Sequence, residues 1–314
     1  MTFDPRNGRI KTGGVIILFC AWLAPTSSRA QDLSPRAYVI TPIHSHAVTV
    51  SYSFNDGAVL ADPTLPIEDA KGRFHLPTLS YYHGYSLFGR SSNFTVSLPY
   101  AFGNFQGNVG AVNGQVSRSG LADARMRFSV NLMGGRAMSL KEMMSWRQRF
   151  LLGASLTVSA PTGQYDPARV INMGVNRWGF KPEIGASRRW GNWMLDAYGG
   201  IWFFTANNQF YPGLSRRTQN PIFATEGHLS YRLKPRLWAS FDGNFWVGGR
   251  STVDGEEKNN QQKNSRIGAT LSLPLTRQQA LKCSFSDGAY VTRGGDYTTI
   301  TVAWQYSWVG QDKK

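Results

Sequence analysis

Apolar and polar side chains alternate with a period of two through most of this chain. Ala124, Met126, Phe128, Val130 and Leu132 share one parity; Asp123, Arg125, Arg127, Ser129 and Asn131 take the other. A β-strand sends successive side chains to opposite faces, so this spacing predicts a strand with one oily and one charged face. The split recurs. Phe150, Leu152, Ala154, Leu156 and Val158 oppose Gly153, Ser155, Thr157 and Ser159. Phe180, Pro182, Ile184 and Ala186 oppose Lys181 and Glu183; Leu195, Ala197 and Ile201 oppose Asp196 and Tyr198. Phe223, Leu229 and Tyr231 oppose Glu226, His228 and Ser230; Ala239, Phe241 and Phe245 oppose Asp242 and Asn244. Ile267, Ala269, Leu271 and Leu273 oppose Arg266 and Thr270; Leu281, Cys283 and Phe285 oppose Lys282 and Ser284. Ile300, Val302, Trp304, Tyr306 and Trp308 form a last apolar row. With three earlier segments, over 48–54, 74–82 and 94–102, about twelve strands are expected.

A soluble sandwich also alternates, so strand length and face chemistry must decide. Several segments run about ten residues, the length a membrane-crossing strand needs, against about five or six in soluble sheets. The apolar parity of these segments carries no Lys, Arg, Asp or Glu. A charge facing lipid at mid-membrane costs ~2–4 kcal/mol, which accounts for that absence. Connections also alternate in length: long over 55–73, 103–117, 161–177, 205–219, 248–264 and 287–297, short over 189–192, 232–236 and 274–279. Long outer loops and short periplasmic turns are the habit of outer-membrane barrels. The exception, 134–149, carries Ser139-Leu-Lys-Glu142, a capping-box pattern that predicts a short periplasmic helix. Trp193 with Trp202, and Trp238 with Trp246, bracket two strands as interfacial girdles would. The expected fold is all-β: one transmembrane antiparallel up-and-down barrel of about 12 strands.

The 314 residues hold 34 Lys+Arg against 19 Asp+Glu, a formal charge of +15, with 13% aromatic residues and a mean hydropathy of −0.31. After residue 30 no stretch approaches the ~18 consecutive apolar residues of a spanning helix. At the N-terminus, Arg6, Arg9 and Lys11 precede an apolar stretch over 13–24, and Ser28-Arg29-Ala30 offers a small-residue cleavage site. Residues 1–30 therefore read as a signal peptide and 31–314 as the single barrel domain, exported beyond the inner membrane of a bacterium. Removing four bases and one acid takes the formal charge from +15 to +12. Only Cys283 would remain, so neither an internal disulfide nor a cysteine-built zinc site is expected. The bases are dispersed, and no basic run suggests nucleic acid; lipid headgroups and lipopolysaccharide phosphates suit an exported basic barrel better.

Ala160-Pro-Thr-Gly-Gln-Tyr-Asp166, Asn172-Met-Gly-Val-Asn-Arg-Trp178 and Phe180-Lys-Pro-Glu-Ile-Gly185 resemble the MetA-pathway phenol-degradation family. So do Tyr38-Val-Ile-Thr-Pro42, Ala47-Val-Thr-Val-Ser-Tyr-Ser-Phe-Asn-Asp-Gly57, Gly120-Leu-Ala-Asp-Ala-Arg125 and Trp304-Gln-Tyr-Ser-Trp308. The resemblance covers nearly the whole mature chain. It implies a barrel of the bacterial outer membrane that passes small, aromatic or hydrophobic molecules, with no catalytic residues and no cofactor. Many barrels end on an aromatic residue read by the assembly machinery, whereas here six residues follow Trp308.

Two clusters suggest other chemistry. His228-Leu-Ser230 places a base and a hydroxyl on one strand face, as in a lipid hydrolase. That parity faces the lumen beside Glu226, whereas lipid cleavage needs the outer face. His44-Ser-His46 offers two metal ligands without a third nearby. The inward-facing charges are Asp123, Arg125, Arg127, Lys181, Glu183, Asp196, Glu226, Asp242, Arg266 and Lys282, with His228 among them: five bases and five acids besides the histidine. Either they form a balanced ion-pair network plugging the barrel, or they line a route for small solutes. A strongly ion-selective pore would favour one sign. The sequence names neither the solute nor the oligomeric state.

Overall fold

The computed structural model describes residues 33–58, 68–109 and 112–310. The expected signal segment, 1–30, lies outside the described residues.

The strands are β1 Ser45–Ala58, β2 Glu68–Leu87, β3 Arg90–Val109, β4 Val112–Leu121, β5 Arg125–Met133, β6 Phe150–Ser159, β7 Gly179–Trp190, β8 Trp193–Phe204, β9 Asn207–Phe210, β10 Ser215–Gln219, β11 Ile222–Lys234, β12 Leu237–Gly248, β13 Ser251–Val253, β14 Glu256–Glu257, β15 Gln262–Pro274, β16 Gln279–Val291 and β17 Asp296–Val309. Among the described residues one helix, α1 Leu140–Ser145, precedes β6. Twelve of the strands close an antiparallel barrel in the order β1-β2-β3-β5-β6-β7-β8-β11-β12-β15-β16-β17. The seam between β17 and β1 is paired from Ser45↔Val309 to Ala58↔Asp296, so no edge remains in the wall. The up-and-down order and the expected strand number both hold.

Which side chains are buried is inverted relative to a soluble protein. Along β11, Glu226, His228 and Ser230 are buried while Phe223 and Leu229 are exposed; Phe241 is 62% exposed beside Asp242 at 0%. Apolar groups facing out and polar groups facing in is stable only when lipid surrounds the wall.

Three expectations need correcting. The first strands are longer than the alternation alone indicated, at 14, 20 and 20 residues for β1, β2 and β3. The stretch expected as a loop over 103–117 is largely the β3–β4 hairpin, which rises beyond the barrel wall. At Pro99, which lacks an N–H, β3 leaves β5 (Ser97↔Arg125) and takes β4 (Tyr100↔Leu121) as partner. Likewise the stretches 205–219 and 248–264 carry a small second sheet, β14-β13-β10-β9. Third, the tryptophan pairs are not girdles. Trp202, Trp238 and Trp246 stand on the inward parity with Asp196 and Asp242, and Trp238 and Trp246 are buried. Only Trp193 of the four faces out, edge-on to Tyr231.

The expected helix forms as its capping box dictates. Ser139 Oγ accepts from the Glu142 N–H, and the Glu142 carboxylate accepts from the Ser139 N–H at 2.8 Å. Its neighbour Met138 packs with Ile40 and Leu151 at the short-turn end of the barrel.

Candidate functional site: the lumen and the segment inside it

Residues 33–44 precede β1 at the short-turn end and turn back into the barrel. Tyr38, 1% exposed, is their deepest anchor. Its hydroxyl donates to Glu183 Oε1 at 3.0 Å and lies 3.0 Å from Ser155 Oγ. The ring packs edge-on to Tyr198 at 5.1 Å between centroids and under the Arg127 guanidinium at 4.8 Å. The seat for that ring is made of glycine: a methyl group at Gly153 on β6 or Gly185 on β7 would collide with Tyr38. The Ala37 N–H donates to Tyr198 Oη at 3.0 Å, and the Ala37 carbonyl accepts from Arg127 at 3.4 Å. Arg36 stacks over Trp238 at 4.1 Å, and Thr41 shares a 2.6 Å hydroxyl bond with Tyr82. Truncating a buried aromatic costs about 3–5 kcal/mol, against about 1 kcal/mol for one hydroxyl pair. Tyr38 therefore holds the segment more firmly than Thr41 does.

Around this anchor the inward charges of β5, β7, β11 and β12 join in one chain of alternating sign, which ends on the Thr270 hydroxyl of β15. Arg127 stands 3.6 Å from Glu183, and Lys181 lies 2.7 Å from Glu183 and 3.3 Å from Glu226. Glu226 approaches His228 Nε2 at 3.6 Å, His228 Nδ1 meets Asp242 Oδ1 at 2.9 Å, and Thr270 donates to Asp242 Oδ2 at 2.7 Å. Asp196, register partner of His228, lies in the field of His228 and Arg36. An uncompensated buried charge costs several kcal/mol, so the alternation is what lets these groups share the interior. Arg266 is separate: its guanidinium donates to Ser286 Oγ and Thr299 Oγ1, both at 2.9 Å, and lies over Tyr297. Lys282 is exposed and reaches over the Trp238 ring at 5.9 Å.

Two expected lumen residues behave otherwise. Asp123 precedes β5 rather than belonging to it. Its two oxygens accept from the Gly163 N–H at 2.9 Å and the Val175 N–H at 3.0 Å, pinning the loop 160–178 at the long-loop end. The alternation was extended two residues too far there. Burial pushes the Asp123 carboxyl above its ordinary range, and the two N–H donors only partly offset this. Arg125, the first residue of β5, is exposed at the same end, where its charge acts on Asp123.

The rest of the lumen wall is different. β1, β2, β3, β16 and β17 turn small hydroxyl side chains inward: Thr49, Ser51, Ser53, Ser80, Ser97, Ser284 and Thr301. Ser53 and Thr301 share a 2.8 Å hydroxyl bond, as do Ser80 and Ser97. These side chains are half-buried, and inward-facing Gln305 is exposed, so open space runs along this wall.

The two other candidate clusters lie apart from the Tyr38 anchor's own contacts. His228 Nδ1 is held by Asp242 and Nε2 stands 3.6 Å from Glu226, while Ser230 Oγ is buried on the lumen face without a hydrogen-bond partner among the described residues, away from the lipid a hydrolase would act on. His46 stacks between His83 and Trp308 on the outer face, with Nδ1 2.8 Å from Tyr81 Oη. Among the described residues no group of three His, Cys, Asp or Glu is placed to hold a metal. Sequence reasoning missed Tyr38, Arg36, Tyr82 and Tyr198. The Tyr38–Pro42 motif was visible as part of the family pattern, but nothing local placed it inside the barrel.

The family model described as Putative MetA-pathway of phenol degradation matches residues 64–302. The chain belongs to this family. The match begins after β1, so the Tyr38 segment lies outside it. Among solved structures the COG4313 outer membrane channel from Pseudomonas putida F1 is similar, with 18% identity over 88% of this chain and 100% of that one, at a TM-score of 0.73. The likeness establishes the shared barrel fold. A KdgM porin solved with oligogalacturonate shows 9% identity over 83% of this chain and 99% of that one, at a TM-score of 0.45. No curated protein matches the chain.

Proposed function

We propose that this chain is an outer-membrane channel for small molecules, aromatic ones included, and that it carries out no covalent step. The observation that carries this reading is the division of the lumen. The charged wall grips Arg36, Ala37 and Tyr38 through its side chains, while the other, which holds Thr41 and His44 only at its short-turn end, leaves a hydroxyl-lined space beside them. A structural plug needs no such space, and a lipid hydrolase needs its serine on the lipid-facing side, whereas Ser230 is buried on the lumen parity. The gripped segment makes the channel narrow at rest. Hydroxyl groups offer hydrogen bonds to phenolic or carboxylate oxygens without committing to a charge, which supports neutral and weakly anionic solutes. Lipopolysaccharide phosphates around the outer rim and the barrel-assembly machinery are the partners this reading expects.

Liposome swelling tests it, with phenol, benzoate and a disaccharide as solutes. The wild-type barrel should admit the aromatic solutes above the protein-free rate and the sugar far more slowly. Tyr38→Ala should raise all three rates. If neither protein admits any solute above protein-free liposomes, the channel reading fails.

A further inference from the structure

The outward parity of β7 carries one charge, and its place is informative. Pro182, Ile184 and Arg188 face out; Arg188 pairs with Phe150 on β6 and Leu195 on β8, both exposed apolar residues. An outward arginine is costly at mid-membrane but nearly free at the headgroup level. Arg188 lies two residues from the β7–β8 turn, where Trp190 and Trp193 are 46% and 42% exposed and Trp193 meets Tyr231 edge-on at 4.7 Å. Such amphipathic rings sit at the headgroup boundary. The short turn puts this boundary at the periplasmic side, whose leaflet is glycerophospholipid.

Arg149, Phe150, Arg188 and Arg189 line one open recess of about 540 Å³. The Arg189 N–H donates to the Arg149 carbonyl at 2.8 Å, which fixes the two strand ends together. Arg149 and Arg188 are exposed, and among the described residues neither side chain makes a hydrogen bond or ion pair. Arg189, whose Nε donates to the Gly191 carbonyl at 3.4 Å, also lies in the field of two further bases, Arg232 and Arg147. The two unpaired guanidinium groups of Arg149 and Arg188 beside lipid-facing aromatic rings match a phosphodiester carrying acyl chains.

Resting on the outer-membrane reading, we propose that Arg149 and Arg188 form a binding site for an anionic glycerophospholipid of the periplasmic leaflet. The guanidinium groups hold the phosphate, and the acyl chains lie along Phe150 and Leu195.

Native mass spectrometry of the detergent-purified barrel, exposed to equimolar phosphatidylglycerol and phosphatidylcholine, tests this. The wild type should retain phosphatidylglycerol preferentially. Arg149→Gln with Arg188→Gln should lower that preference about 5-fold per arginine, equivalent to about 1 kcal/mol each. Arg169→Gln, at the opposite end and paired with Asp166, should not change it. Glycerol 3-phosphate in excess should fail to displace the lipid. Equal retention of the two lipids by wild type, an unchanged preference in the double variant, or displacement by glycerol 3-phosphate would each overturn the site. Circular dichroism confirms that the variants fold. Conductance of the double variant should match wild type, so loss of this site is distinguishable from failure of the channel reading.

Discussion

The two walls of the lumen are built from the same strand geometry and do opposite things. Across β5, β7, β11 and β12 the inward residues carry most of the lumen charge and are buried, and they meet one another and the Tyr38 segment with little space left. Across β1, β2, β3, β16 and β17 short hydroxyls predominate, with Tyr82, Lys282 and Gln305 as the longer exceptions. A barrel of this size can be filled or hollow depending only on the inward side chains. Here each outcome occupies one side. The charged wall supplies rigidity and a grip; the hydroxyl wall supplies polarity without bulk.

Breaking the charged wall should produce the largest effect. Lys181 lies between Glu183 and Glu226, so Lys181→Met leaves two buried carboxylates facing each other. We expect a loss of about 3–5 kcal/mol. The heat-induced shift in gel mobility, which marks barrel unfolding, should move to clearly lower temperature. A Lys181→Met barrel as heat-resistant as wild type would erase the proposed contrast between the walls.

The loop above the lumen comes next. Asp123→Ala removes both acceptors of the Gly163 and Val175 N–H groups, a local cost of about 1–3 kcal/mol. It should speed proteolytic cleavage within 160–178. The pH dependence has a definite sign. A carboxyl held above its ordinary range binds its proton more tightly in the folded protein than in the unfolded chain. Stability linked to Asp123 therefore rises as pH falls through that elevated value, and acidification should not loosen the loop. Asp123→Asn should accordingly be milder than Asp123→Ala. Faster cleavage on mild acidification in wild type, absent in Asp123→Asn, would contradict this.

The smallest stability change belongs to the hydroxyl wall. Ser51→Val with Ser80→Val removes weak, half-buried hydrogen bonds and should cost about 1 kcal/mol or less per site. Its effect should appear in selectivity: swelling with phenol relative to benzoate should rise as the wall becomes less polar. Unchanged selectivity would place the solute route elsewhere.

Much of this was legible in the sequence because lipid enforces it. Phe223, Leu229 and Phe241 had to face out, and their neighbours Glu226, His228 and Asp242 had to face in, so period and parity alone placed them. The same parity puts Trp238 and Trp246 inside; treating tryptophan as a girdle residue set aside the better signal. The hairpin β3–β4 and the small sheet of β9, β10, β13 and β14 lie beyond the lipid, where nothing enforces alternation. Asp123 fitted the alternating pattern but belongs to the loop. The Tyr38 anchor was not legible, because its partners Ser155 and Glu183 stand more than a hundred residues away. Gly153 and Gly185 were the available clue: inward glycines on adjacent strands mark a place where something approaches closely.

The most direct test of the account is the single-channel current of Gly185→Leu in a planar bilayer. The leucine side chain occupies the seat of the Tyr38 ring while leaving Arg127, Lys181 and Glu183 in place. The account predicts a folded barrel whose conductance rises several-fold over wild type and matches that of Tyr38→Ala. A folded Gly185→Leu barrel with wild-type conductance would contradict it, because the segment would then not be what narrows the lumen.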